Sequence, residues 1–379
     1  RFFSRIFECM GIRSVSARSE QMTVMVWTDA GLSDELLNSG GDKAEVMPTE
    51  GNPGVYADKV VDQAKPTVRV YGHYDVMPED PVDECKTNPW EPVVKDGRIW
   101  GRGANDDKGQ LYMHAKAFEA LVSTGELPCN VKFMLEGEEE IGSPSLYKWC
   151  EDNKELVKGD IILVSDTSLI AWDVPSITAG LRGLCYMQVE VTGPSHDLHS
   201  GLYGGAVANP ANVLCDLVSS LVDEKGRVTI PGFYDKVREL TPAERKAFNE
   251  APFSLDDYKK ALNIKEVKGE DGYTTMERTG VRPSLDVNGI WGGYTQEGTK
   301  TIIPAKASAK ISMRLVPDQD HHEIAKLLEK HFRAIAPDYV TVEVQALHGR
   351  QPYVSPTDLP AYKAAEKAME STFGKIPLP

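Results

Sequence analysis

Thr67-Val68-Arg69-Val70-Tyr71-Gly72-His73-Tyr74-Asp75 reads as a strand that runs into an imidazole and a carboxylate. Two further stretches share that grammar. Asn130-Val131-Lys132-Phe133-Met134-Leu135 runs into Glu136-Gly137-Glu138-Glu139-Glu140, and Asp160-Ile161-Ile162-Leu163-Val164 runs into Ser165-Asp166. In an open α/β sheet, ligands bind outside the carboxyl ends of the strands. Several carboxylates and an imidazole delivered to that edge repel one another unless a cation sits between them. The chain reads as a metalloenzyme.

Working outward, residues from about Thr67 to Asp166 alternate strand and helix, which predicts a mostly parallel sheet with helices on its faces. After the Gly-rich stretch at 101–109, Leu111, Ala115, Phe118 and Leu121 recur at helical spacing, with Asp106-Asp107 as the cap and Gly125 as the stop. From Gly180 the texture changes. An alternating strand at Cys185–Val191, a helix at Pro210–Val222 and a polar, helix-rich stretch through Asp271 come first. Strands near Lys300–Ile303 and Ala307–Leu315, a helix at His322–Ala334 and a strand at Val340–Gln345 follow. This predicts an α+β unit of about 170 residues inserted into the first domain. The tail from Leu359 to Phe373 reads as a helix returning to that domain, whereas Met22–Asn38 does not read as an ordinary amphipathic helix.

The 379 residues suit two domains, and 41% hydrophobic with 26% charged content is ordinary for a globular chain. A net charge of −15 argues against a nucleic-acid or anionic-membrane surface. No apolar run approaches the ~20 residues that span a bilayer. The opening Arg1–Phe7 has no initiator Met and no signal-type apolar region, and is expected to be a trimmed helix. Six scattered cysteines without a C-x-x-C pair predict free buried thiols in a reducing cytosol, hence a cytoplasmic protein.

Each motif has a plain structural reading beside the chemical one. His73-x-Asp75 is either a structural hydrogen-bonder or a metal ligand whose other ring nitrogen an acid holds. The Gly101–Gly109 loop opens a helix, but it lacks the Walker spacing, and two aspartates would repel phosphate. Its acids are helix caps, or one of them bridges two cations. Glu138-Glu139-Glu140 in isolation is a solvated charge run. After a very apolar strand, one glutamate can bind metal while the next serves as general base. Ser195-His196-Asp197 lacks a nucleophile elbow, and triad members are rarely adjacent in sequence. His321-His322 reads as solvent-facing, and nothing matches H-E-x-x-H.

Taken together, Gly72–Val76, Gly101–Gly109, Leu135–Ser143, Ser165-Asp166, Gly180–Gly183, Asp197–Gly201 and Arg314–Pro317 resemble the carnosinase and cytosolic non-specific dipeptidase family, within the peptidase dimerisation-domain superfamily. The likeness runs in order from about Ser14 to the last residue. It implies a zinc-exopeptidase-like catalytic domain at 1–181 and 354–379, with an inserted α+β lid and dimerisation domain at 182–353. It implies two divalent ions, zinc with manganese as the alternative. His73 and Asp166 would hold one, Asp106 would bridge both across a cis bond to Asp107, and Glu140 would hold the second. Glu139 becomes the base for a bridging water and Asp75 orients His73. His199 reaches the partner's site across a homodimer and stabilises the oxyanion. Arg314 clamps the substrate's terminal carboxylate, and Thr301 and His348 are further substrate contacts.

The implied reaction is hydrolysis of dipeptides or short peptides with a free C-terminus. Two alternatives stand beside it: a related amidohydrolase acting on N-acyl amino acids or C-terminal residues, and a non-catalytic scaffold of the same fold. Asp166 favours the dipeptidase, since acylase-like relatives use glutamate there. The resemblance also implies a Gly-Gly-Ser-Ile-Pro-like substrate loop and a late histidine ligand beyond Pro379. Arg350 departs from it, standing where a second glycine after Gly349 is usual.

Overall fold

The strands that end at His73, Glu136 and Val164 lie side by side in one five-stranded sheet. The computed structural model describes residues 2–18, 22–171 and 173–378, and its internal contacts divide into two units, Arg1–Ser168 and Leu169–Pro379. The first unit comprises α1 (Phe2–Gly11), α2 (Met22–Asn38), β1 (Lys43–Met47), β2 (Gly54–Lys59), β3 (Thr67–His73), β4 (Val93–Lys95), β5 (Arg98–Trp100), α3 (Lys108–Thr124), β6 (Asn130–Glu136), α4 (Leu146–Asp152) and β7 (Ile161–Val164).

The sheet order is β1-β2-β6-β3-β7. Strand β3 runs parallel to both β6 and β7, while β1 and β2 extend the other side antiparallel. The sheet is therefore mixed, with its parallel half carrying the strand ends of interest. His73 is opposite Glu136, and Tyr71 is opposite Val164, so the three carboxyl ends share one edge. Helices α2 and α3 supply Met25, Leu32, Leu36, Leu111, Ala115 and Phe118 to the core beneath Val70, Val131, Phe133 and Leu135. Leu121 is exposed and lies outside that core. Met22–Asn38 is a helix after all. Its inward face mixes Thr28, Asp29 and Ser33 with the apolar residues, which blurs the periodicity by which helices are read.

The second unit comprises β8 (Gly180–Leu181), β9 (Gly183–Thr192), β10 (Leu198–His199), α5 (Ser200–Tyr203), α6 (Pro210–Ser219), α7 (Pro242–Phe248), α8 (Leu255–Leu262), α9 (Thr275–Gly280), β11 (Ser284–Gly292), β12 (Ile302–Ile303), β13 (Lys306–Leu315), α10 (His321–Ile335), β14 (Thr341–Arg350), β15 (Tyr353–Val354) and α11 (Pro360–Phe373). Its four-stranded antiparallel sheet has the order β11-β13-β9-β14. Along β9 the odd residues Cys185, Met187, Val189 and Val191 are buried with Val213, Leu214, Leu217, Ile324, Leu328 and Phe332 of α6 and α10. The even residues form the opposite, open face. Strand β11 was not anticipated; Gly289, a register break between Val287 and Gly289, and an exposed edge position hide its alternation.

The tail helix forms as expected, and Leu378 bridges Ser176 while Lys375 pairs with Asp173. All six cysteines are free, but Cys185 alone is buried, so the expectation of buried thiols fails for the rest. No helix among the described residues is long and apolar enough to cross a membrane.

Candidate metal centre

His73 closes β3 with its side chain fully buried. Its Nδ1 stands 3.1 Å from the Asp75 carbonyl and 3.3 Å from Asp75 Oδ1, which leaves Nε2 to face outward from that pair. Nε2 lies 3.1 Å from Asp106 Oδ1 and 3.7 Å from Asp166 Oδ2, yet it is buried without a hydrogen bond of acceptable angle. These three side chains bring ligand atoms within 4.8 Å of one another. Donors held about 2.0–2.2 Å from a tetrahedral zinc-sized ion stand roughly 3.3–3.6 Å apart, so an imidazole and two carboxylates at these separations fit a divalent cation.

The electrostatics agree. Burial alone would lower the His73 pKa, but Asp106 and Asp75 override it and hold it up at about 11. The surroundings thus favour positive charge at this imidazole. Asp106 is lowered, first by contact with His73. Asp166 is raised by burial and then by Asp106, with His73 opposing. Glu140 is pushed up to about 7 by burial and by the charge of Asp106. A cluster of acids that raise one another is a cluster that a cation would stabilise.

Backbone geometry explains how the acids arrive. The Asp106–Asp107 peptide is cis, as the resemblance implied. Asp107 occupies the cap position of α3, but its side chain caps nothing there. It turns inward instead, and Oδ2 accepts the His73 amide at 3.1 Å. The expectation that both aspartates cap the helix is corrected by that contact. Gly109 must be glycine, because a Cβ would stand 1.9 Å from the Ala104 carbonyl oxygen.

The triple glutamate divides sharply. Glu138 is buried and structural: Oε1 accepts the Asn52 amide and Oε2 the Ser145 amide. Glu139 and Glu140 are half-buried, and their amides both donate to Asp75, at 3.2 and 3.0 Å. Glu140 Oε1 accepts the Met77 amide at 3.0 Å. One fully buried carboxylate, Asp75, therefore fixes both the His73 ring and the turn that carries the two glutamates.

Several supports escaped the sequence reading. Buried Lys108 donates to the Cys9 and Ile12 carbonyls, tying the loop at 101–107 to the end of α1. Gln110 donates to the Thr167 carbonyl, and His114 Nε2 meets Ser165 Oγ at 2.6 Å, so α3 holds the turn that carries Asp166. Glu136 accepts from Tyr71 and Ser143. Lys108 on an otherwise apolar inward helix face was the one available signal.

The remaining expected residues lie in the second unit. His199 Nδ1 is 3.3 Å from both the carbonyl and the hydroxyl of Thr301, and His199 is paired with Ile302 across β10 and β12. Arg314 and His348 lie on the open face of the larger sheet, opposite Leu184 and Tyr186 of β9. The His348 and Tyr186 rings are 5.1 Å apart. The structure thus joins His199 with Thr301 and sets Arg314 near His348, as two separate groupings.

The sequence matches the family model described as peptidase family M20/M25/M40 over residues 70–379. It is 33% identical to Cys-Gly metallodipeptidase dug1 of Schizosaccharomyces pombe, over 99% of this chain and 82% of that protein. Among solved structures, an M20 family metallo-carboxypeptidase from Sulfolobus solfataricus superposes with a TM-score of 0.89 at 35% identity, covering 100% of this chain and 85% of the other. Human carnosine dipeptidase 1 superposes with a TM-score of 0.86 at 31% identity, covering 100% and 83%.

Proposed function

Because the chain belongs to peptidase family M20/M25/M40, we propose how its residues divide the work of a metal-dependent dipeptidase. The activity is hydrolysis of dipeptides with divalent metal ions. The observation that carries this reading is the buried, hydrogen-bond-free Nε2 of His73 facing Asp106 and Asp166.

We assign His73 and Asp166 to one ion, Glu140 to a second, and Asp106 to both, with zinc preferred and manganese as the alternative. When bound, such ions polarise the scissile carbonyl and acidify water. Glu139, set beside Glu140 by Asp75, takes the proton from water on its carboxylate and passes it to the leaving amine. Asp75 keeps the His73 ring oriented. Arg314 offers a guanidinium fork to the substrate's free C-terminal carboxylate, with His348 as a further contact from the same chain and Thr301, grouped with His199, as one from the partner.

His199 donates to the developing oxyanion, and it acts on the partner's substrate in a homodimer. A distance supports the trans assignment. Thr192, paired with Lys306, marks the end of the sheet near His199 and Thr301, whereas Leu184, paired with Arg314, marks the other end. Eight residues of strand separate them, roughly 27 Å. A dipeptide is far too short to touch both in one protomer.

The domain assignment, catalytic at 1–181 and 354–379 with 182–353 inserted, draws support from β8 pairing with β15. An insertion must leave and re-enter its host at neighbouring points, and Gly180–Leu181 lies beside Tyr353–Val354. We place the protein in the cytoplasm, a choice that six free thiols support.

The test is hydrolysis of Ala-Ala by the full-length protein. Activity should vanish with a chelator and return with Zn2+ or Mn2+, and Ala-Ala should outrun N-acetylalanine. Chelator-insensitive turnover, or preference for the N-acyl substrate, would overturn the reading.

A further inference from the structure

Resting on the reading of Arg314 as the carboxylate clamp, we infer that Arg350 forms a second anion subsite, which makes dipeptides with an acidic C-terminal residue preferred substrates. Arg314 on β13 and Arg350 on β14 are both paired with Leu184 of β9, one from each side. Residues paired across a sheet project from the same face, and this row lies on the open face, away from the helices. Both arginines are exposed. Their Cα atoms are two strand spacings apart, about 10 Å, so two long side chains can converge above Leu184.

Charge around this row singles it out. The chain as a whole carries −15, yet here two exposed guanidinium groups flank one leucine. Half-buried Arg182 adds to the field, since burial and then the charge of Arg314 lower its pKa. His348, two residues before Arg350, has its own pKa lowered by burial and then by Arg350, placing both side chains in one neighbourhood. Asp286, paired with Ser312 in the next row, is an acidic neighbour on this face. A register shift between Ala346 and His348 sets this phase; without it Arg350 would fall on the buried side.

A C-terminal glutamate or aspartate carries two carboxylates a few bonds apart. With the α-carboxylate on Arg314, the side-chain carboxylate falls toward Arg350. Glutamine has the same shape without the charge, so the pair Ala-Glu and Ala-Gln isolates the electrostatic part.

The experiment is kcat/KM for Ala-Glu and Ala-Gln on the metal-loaded full-length protein and on Arg350→Gln and Arg350→Lys. The wild type should favour Ala-Glu by about fivefold, the upper range of an exposed ion pair. Arg350→Gln should bring the ratio close to one, and Arg350→Lys should keep part of it. Added salt should erode the preference in the wild type and in Arg350→Lys and leave the ratio of Arg350→Gln unchanged. A merely structural Arg350 would move both substrates together. If both peptides are cleaved and Arg350→Gln leaves the ratio unmoved, the inference falls alone. If neither is cleaved, the dipeptidase reading falls and takes the inference with it.

Discussion

Asp75 Oδ2 accepts the backbone amide of Glu140 at 3.0 Å, joining the turn after β3 to the turn after β6. Its other oxygen accepts the Glu139 amide at 3.2 Å and stands 3.3 Å from His73 Nδ1. Asp75→Asn replaces one acceptor with an NH2 group that must oppose either an amide or the ring nitrogen. Metal affinity should drop about 10–100-fold. Competition with a fluorescent chelator reads this directly, and an unchanged affinity would remove Asp75 from its positioning role.

Glu139 is assigned to the proton and not to either ion, so its loss should spare metal binding. Glu139→Ala should lower kcat by about 10²–10⁴ while metal content per chain stays at the wild-type value. Turnover that survives the change would transfer the base role elsewhere.

His199, on the β10–β12 pair, lies toward the Thr192 end of the larger sheet and Arg314 lies at its Leu184 end, so complementation between subunits is expected. His199→Ala and Glu139→Ala should each be inactive alone. Mixed at equal amounts with subunit exchange, random pairing in a two-fold dimer leaves roughly a quarter of the wild-type sites intact. Absence of any recovery would argue that His199 works within its own chain.

The second unit should also lose stability in acid through a group that is not among the metal residues. Glu277 is fully buried, accepts both Nε and Nη2 of Arg245, and caps α9 in a reciprocal box with Thr274. Contact with Arg245 lowers its pKa from 4.5 to about 2. A depressed acid stabilises the fold above its ordinary pKa, and that share is lost as pH falls from about 4.5 through about 2. At about 1.4 kcal/mol per unit, discounted for the partly exposed arginine, the share is roughly 2 kcal/mol. Fluorescence-monitored unfolding should place Glu277→Gln well below wild type at neutral pH, with the gap closing in acid. A gap independent of pH would mean that the cap, and not the charge, accounts for it.

The strand ends were legible because apolar runs at β3, β6 and β7 stop abruptly at polar residues, and parallel pairing then aligns the stops. Helix α3 was legible from its spacing, although the role of its cap residue was not: whether Asp107 closes the helix or turns to the His73 amide depends on a contact 34 residues away. Glu136, Glu138, Glu139 and Glu140 look alike in sequence. They differ in the structure because Tyr71, Ser143, Asn52 and Ser145 claim the first two. Strand β11 stayed hidden since an edge strand with a register break has no continuous face to bury.

By itself the sequence determined that metal-seeking side chains end three strands and that an α+β arrangement follows them in the chain, because burial writes its period locally into apolar spacing. Only the tertiary structure decided that Asp75 serves both His73 and the Glu139–Glu140 turn, and that Arg314 and Arg350 share a row across Leu184. Those relationships depend on strand register and on a shift in β14, which arise from partners distant in the chain and leave no local periodic trace.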